Sequence, residues 1–136
     1  MITNDLPTVV IADDNQQILK VLVRLLQPSY TILAQAEDGG TAFRAIHTLQ
    51  PHLAILDISM PVMSGVEVAR QLKAVHSSTK VVFLTLQTSI KLVEEARRHA
   101  NGYVIKMRLA SDLYPALDAA LRGEFFVSDL NPHSPA

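Results

Sequence analysis

Five residues of this chain carry side chains that could do chemistry together, and each stands at the end of a short apolar run. Asp13 and Asp14 follow TVVIA, Asp57 follows HLAIL, Thr85 closes KVVFLT, and Lys106 follows GYVI. Taken singly, each has an ordinary explanation. An acidic pair after a strand suits the N-terminus of the next helix. Asp57 could cap a turn, Thr85 could simply end a strand, and Lys106 could be a solvated lysine. Taken together they are three carboxylates, a hydroxyl and an ammonium, all at strand ends.

Three carboxylates in one place repel each other, and their pKa values rise unless a cation compensates. A hard divalent ion is the natural partner. Mg²⁺ takes oxygen from one or two carboxylates, keeps several waters and accepts phosphate oxygens. Such an ion would keep Asp57 ionised as a nucleophile and shield an incoming phosphoryl dianion from Asp13 and Asp14. Lys106 adds a second positive charge, and Thr85 offers a hydroxyl donor to a phosphoryl oxygen. This set suits in-line phosphoryl transfer onto a carboxylate, where positioning and charge neutralisation dominate.

The chemistry requires elements that bring these strand ends to one edge. TVVIA (8–12), YTILAQA (30–36), HLAIL (52–56), KVVFLT (80–85) and GYVI (102–105) read as buried strands. Between them run helical patterns. In the first, Ile18, Leu22, Leu25 and Leu26 share a face and Asn15 is the expected N-cap. The second is TAFRAIHTLQ after a chain break at DGG. The third is VEVARQLKAVH, and the fourth SIKLVEEARRHA has a stripe at Leu92, Val93 and Ala96. The fifth is SDLYPALDAALR, with Ser111 or Asp112 as its cap and Pro115 early in it. Strict strand–helix alternation with continuously apolar strands implies a parallel sheet covered on both faces. The expected fold is a flavodoxin-like, doubly wound (βα)5 three-layer α/β sandwich with strand order 2-1-3-4-5. Its site lies outside the C-terminal ends of strands 1 and 3.

The bulk properties narrow the function class. With 136 residues the chain is one domain, and 49% hydrophobic against 18% charged residues makes it globular rather than disordered. A net charge of -1 disfavours direct nucleic-acid binding by this chain. The absence of cysteine fits a reducing compartment. No signal peptide pattern opens the sequence and no run reaches membrane-span length, so a soluble cytoplasmic protein without membrane contact is expected. The histidines at 47, 52, 76, 99 and 133 lack metal-ligand spacing. Arg97, Arg98 and His99 form a basic cluster that reads as a solvated helix C-terminus or a docking patch.

Over residues 7–127 the sequence resembles the receiver domains of two-component response regulators. The resemblance is carried by VVIADDN, LAILDISMPVMSGVEVARQLK, VVFLT and GYVIK. It is specific in the run Asp57-x-x-Met60-Pro61-x-Met63-x-Gly65-x-Glu67. It implies that Asp57 is the phosphoacceptor and that Mg²⁺ is held by Asp14, Asp57 and the backbone carbonyl of Ser59, with Asp13 acting through water. It assigns phosphate contacts to Thr85 and Lys106, and makes Thr85 and Tyr103 switch residues. The implied partners are a histidine kinase, an output domain or effector protein, and a second copy in a homodimer. The implied activity is signalling, with at most slow self-catalysed phosphorylation and dephosphorylation. LRGEFFVSDL (121–130) resembles the segment after helix 5 in the NarL/FixJ class of transcription regulators. On this reading residues 1–127 are the receiver domain, and 128–136 are a flexible tail or the start of an interdomain linker.

Two residues depart from the pattern. Leu86 stands where the family has a small residue and would narrow access to the site; Met107 stands where proline, aspartate or serine is common. The stretch from Thr85 to Lys106 is about one residue short, which bears on the surface of helix 4, strand 5 and helix 5. A pseudo-receiver, a binding module never phosphorylated, would have lost Asp57, Lys106 or an acidic residue, and none is lost. A phosphohydrolase on this fold would need a second aspartate where Ser59 stands, and no nucleotide-binding loop is present.

Overall fold

A computed structural model describes residues 5–131. The last part of the expected tail, residues 132–136 with His133, lies outside the described residues. The elements run β1 (Thr8–Ala12), α1 (Gln16–Leu26), β2 (Thr31–Ala36), α2 (Gly39–Leu49), β3 (Leu53–Asp57), α3 (Gly65–Ala74), β4 (Lys80–Thr85), α4 (Ile90–His99) and β5 (Gly102–Ile105). A 3₁₀ turn (Lys106–Arg108), α5 (Leu109–Leu121) and β6 (Phe126–Val127) complete the chain. All strand pairs are parallel, in the order β2-β1-β3-β4-β5-β6. The doubly wound order read from the sequence is present, extended by one short strand.

Strand geometry explains why the central strands are apolar throughout. Successive side chains point to opposite faces, and both faces are covered. Val9, Ile11, Leu53, Ile55, Val82, Leu84 and Val104 pack with α1 and α5. Val10, Ala12, Ala54, Leu56, Phe83, Tyr103 and Ile105 pack with α2, α3 and α4. The buried stripe of α1 is Leu19, Leu22 and Leu26, with Ile18 and Leu25 only partly buried. Side chains cap helix starts at Asn15, as expected, and also at Ser64 and Ser89. Asn15 accepts the N–H groups of Gln17 and Ile18, Ser64 that of Glu67, and Ser89 that of Leu92.

Three local readings are corrected. Gly39 and Gly40 do not break the chain: Asp38 accepts the Thr41 N–H and α2 starts at Gly39. The glycine is required by proximity, because a Cβ at position 39 would lie 1.8 Å from the carbonyl oxygen of Met63. Ser111 and Asp112 do not cap α5, which continues from the 3₁₀ turn at Lys106–Arg108 and begins at Leu109. Their side chains serve other contacts, described below. Finally, the segment read as a tail begins inside the packed domain: Ser128 is 2% exposed, and Leu130 packs against the core.

Gly65 opens α3 directly beneath the phosphoacceptor candidate. A Cβ there would lie 2.3 Å from the backbone carbonyl oxygen of Asp57. Gly65→Ala is therefore expected to cost about 2–3 kcal/mol, the scale of an overpacked core. Urea unfolding checks this. An unchanged midpoint would show that the loop yields without strain.

Candidate functional site

The C-terminal ends of β1, β3, β4 and β5 meet at one edge, as parallel pairing requires. The register sets Asp57 beside Leu84, and Thr85 beside Ile105, one residue before Lys106. A cleft of about 410 Å³ opens there, lined by Asp14, Asn15, Asp57, Ser59, Thr85, Leu86, Gln87 and Lys106. Asp13 lies beneath it, with no exposed surface.

Polar contacts fix each group. Lys106 Nζ stands 2.9 Å from Asp13 Oδ2 and 3.5 Å from Asp57 Oδ2. Asp13 Oδ1 accepts the Asn15 N–H at 2.8 Å, and Asp57 Oδ1 accepts the Ser59 N–H at 3.2 Å. Thr85 Oγ1 accepts the Gln87 N–H at 3.1 Å, which leaves the hydroxyl proton available to a ligand. Asp13 Oδ2 is buried without a well-aligned hydrogen bond, even from the ammonium 2.9 Å away. The close approach is an ion pair whose geometry leaves acceptor capacity on that oxygen.

Carboxylate oxygens of Asp13, Asp14 and Asp57 lie within 4.8 Å of one another. Burial pushes the Asp57 carboxyl up to about 6, aided by the negative charges of Asp13 and Asp14. Lys106 and the Ser59 N–H pull it back only in part. An under-bonded buried carboxylate oxygen, three clustered acids and an all-oxygen donor set together fit a hard divalent cation such as Mg²⁺.

Asp14, Asp57, Ser59, Thr85 and Lys106 therefore share the cleft wall. Tyr103 does not line it. Its side chain is fully buried on the α4 side of the sheet, and its hydroxyl donates to the Gln87 carbonyl at 2.8 Å. Leu86 lines the rim but is 69% exposed, so it stands in solvent rather than filling the cleft; Met107 beside Lys106 is 75% exposed. The sequence reading passed over Asn15 as a site residue and over Gln87 altogether. Gln87 sits two residues beyond Thr85 and links it to Tyr103 through both its backbone groups, which no side-chain pattern reports.

The profile of the response regulator receiver domain matches residues 9–118. The chain belongs to that family. This receiver domain is 32% identical over 117 residues to the transcriptional regulatory protein YdfI of Bacillus subtilis, covering 85% of the chain and 55% of YdfI. It is 28% identical over 131 residues to the nitrate/nitrite response regulator protein NarL of Escherichia coli K12, covering 93% of the chain and 61% of that protein. Among solved structures it resembles the signal receiver domain of the response regulator NarL from Mycobacterium tuberculosis. That likeness has a TM-score of 0.84 at 26% identity and covers 88% of this chain and 99% of the other. The chain thus spans little more than half the length of the curated relatives it matches. Those relatives are response regulators, signalling proteins rather than enzymes that turn over an external substrate. Among the described residues no helix is long and apolar enough to cross a membrane.

Proposed function

We propose that this receiver domain is a phosphoacceptor switch in which Asp57 takes a phosphoryl group from a histidine kinase. The observation that carries the reading is the position of Asp57. Its carboxylate is at the wall of an open cleft, 3.5 Å from the Lys106 ammonium, in a setting that pushes it up to about 6. At pH 7 it is ionised yet poorly solvated, which favours attack. An Asp57 carboxylate oxygen forms a bond to phosphorus as the bond from phosphorus to the donor nitrogen breaks. The donor imidazole keeps that electron pair. Asp14, Asp57 and the Ser59 carbonyl would hold Mg²⁺, with Asp13 reaching it through water. When bound, the ion neutralises the carboxylates and orients the incoming phosphoryl oxygens.

The chain's own groups do the rest. Lys106 leaves part of its contact with Asp57 to meet the new dianion, and the Thr85 hydroxyl turns to donate to a phosphoryl oxygen. The Gln87 N–H that Thr85 holds then shifts, and with it the carbonyl to which the Tyr103 hydroxyl donates. Tyr103 and Thr85 act in this reading as the switch pair, and the surface of α4, β5 and α5 presents the outcome to an output domain, an effector protein or a second copy. The segment beyond the packed domain serves as the start of a linker, and the setting is cytoplasmic. Direct contact with nucleic acid is left to other parts of such a protein.

Incubation with acetyl phosphate and Mg²⁺ followed by intact-mass measurement tests this. One phosphoryl adduct on the wild-type chain and none on Asp57→Asn is expected. If neither acetyl phosphate nor a kinase donor yields an adduct, the phosphoacceptor reading fails and the domain is a pseudo-receiver.

A further inference from the structure

The segment that follows α5 is fastened to the sheet at one buried side chain, Ser128. Its hydroxyl donates to Asp112 Oδ2 at 2.6 Å and accepts the Ile105 N–H at 3.1 Å. Its own N–H donates to the Tyr103 carbonyl at 2.9 Å. Every one of these partners leads back to the Asp57 cleft. Tyr103 donates through its phenol to the Gln87 carbonyl, and the Gln87 N–H is held by Thr85. Asp112 accepts Arg108 Nε at 3.3 Å, and Arg108 closes the 3₁₀ turn that Lys106 opens. Ile105 is the chain neighbour of Lys106.

A path from the site's hydroxyl and a path from its ammonium therefore converge on one serine. We infer that Ser128 hands the state of the cleft to the segment leaving the domain, with Asp112 as the positioning residue between it and the Lys106 turn. This rests on the phosphoacceptor reading and extends it to the exit of the chain. The physical basis is the balance of forces at β6. The strand has two residues, Phe126 and Val127, both only half-buried, so pairing alone holds it weakly. Ser128 and Asp112 are 2% and 8% exposed, so their hydrogen bonds are costly to leave unmade. A shift of Tyr103 or of the Lys106 turn must strain one of them. The strand then loosens or tightens as a unit. Coupling is reciprocal, so whatever pulls on the exit segment also acts on Lys106.

Amide hydrogen exchange over residues 125–130, with intact mass taken on the same sample, tests the inference on the full chain. Loading with acetyl phosphate and Mg²⁺ is expected to change exchange there by on the order of fivefold, the effect of one buried hydrogen bond. Tyr103→Phe removes only the phenolic hydroxyl and keeps the carbonyl that holds Ser128. It is expected to form the adduct but show a response weakened by about half, with Asp112→Asn doing the same and the pair leaving only the small remainder carried by the Ile105 contact. An adduct on the wild type without any change over 125–130 overturns the inference and leaves the phosphoacceptor reading standing. So does a full response in the double variant. Absence of any adduct overturns both. Should Asp112→Asn fail to fold, Tyr103→Phe alone decides: the inference needs both paths to meet at Ser128, so an undiminished response in that variant removes the one through Gln87 and overturns the convergence.

Discussion

Asp57→Asn should make the metal-free protein more stable at pH 7, not less. The Asp57 carboxyl is raised from 3.8 to about 6, first by burial and then by Asp13. Below about pH 4 it is protonated in the folded and unfolded chains alike and contributes nothing. As pH rises from about 4 to 6 the unfolded chain releases its proton freely, while the folded chain must keep it or suffer repulsion. Stability is lost across that window and stays lost above it. The interval from 3.8 to about 6 caps the loss at about 3 kcal/mol. Asparagine resembles the neutral acid in shape and escapes this loss, but it does not reproduce every contact. A net gain of about 1–3 kcal/mol at pH 7 is expected. Denaturant midpoints between pH 4 and 7.5 check this. The wild-type curve should fall with rising pH where the variant is flatter. A variant less stable at pH 7, or one with the same slope, would contradict the electrostatic account of the cluster. Mg²⁺ should narrow the difference by stabilising the wild type, by about 2.7 kcal/mol at a hundredfold excess over its dissociation constant.

Lys106→Met should have the opposite sign. The ammonium is the only cation in contact with the buried carboxylate of Asp13 among the described residues, and it also faces Asp57. Its removal leaves three acids without internal compensation. Breaking such a pair costs about 3–5 kcal/mol when the remaining charge cannot change. Here it can change, because Asp57 loses the charge that holds its pKa down and takes up a proton more readily. The loss is therefore expected near about 2–4 kcal/mol at pH 8 and smaller at pH 6. Mg²⁺ should recover more stability in this variant than in the wild type, and Asp57→Asn placed in the same chain should cancel much of the damage. Strict additivity of the two substitutions would mean that the groups do not interact.

Which parts of this were legible in the sequence follows from the range of the interactions. β1, β3 and β4 are apolar on both faces because helices cover both, and a run of such residues announces itself. Asp13, Asp57 and Thr85 follow from those strands, and Lys106 from β5, since each stands at or just past a strand's C-terminal end. Local rules failed where a distant contact took over. Gly39 reads as a chain breaker, yet it is small because the Met63 backbone passes beside it. Ser111 and Asp112 read as helix caps, yet Asp112 is engaged by Arg108 and by Ser128, which is far along the chain. β6 was missed because two residues carry no period and its pairing is supplied by β5. The partner of the Tyr103 hydroxyl is a backbone carbonyl of Gln87, a group every residue has.

The close packing at Gly39 has a mechanical consequence. Its N–H donates to the Pro61 carbonyl, and its Cα surface meets Met63, so the head of α2 is braced against the loop that leaves Asp57. On the opposite side Thr85, Gln87 and Tyr103 are joined by single hydrogen bonds, and Leu86 and Ile90 stand largely in solvent. The cleft thus works like a vice with one jaw bolted to the bench. On the proposed function, force from charge arriving at Asp57 would meet backbone packed on backbone on the α2 side. It would be taken up by the β4–α4 side, so the asymmetry of contacts would give the proposed switch its direction.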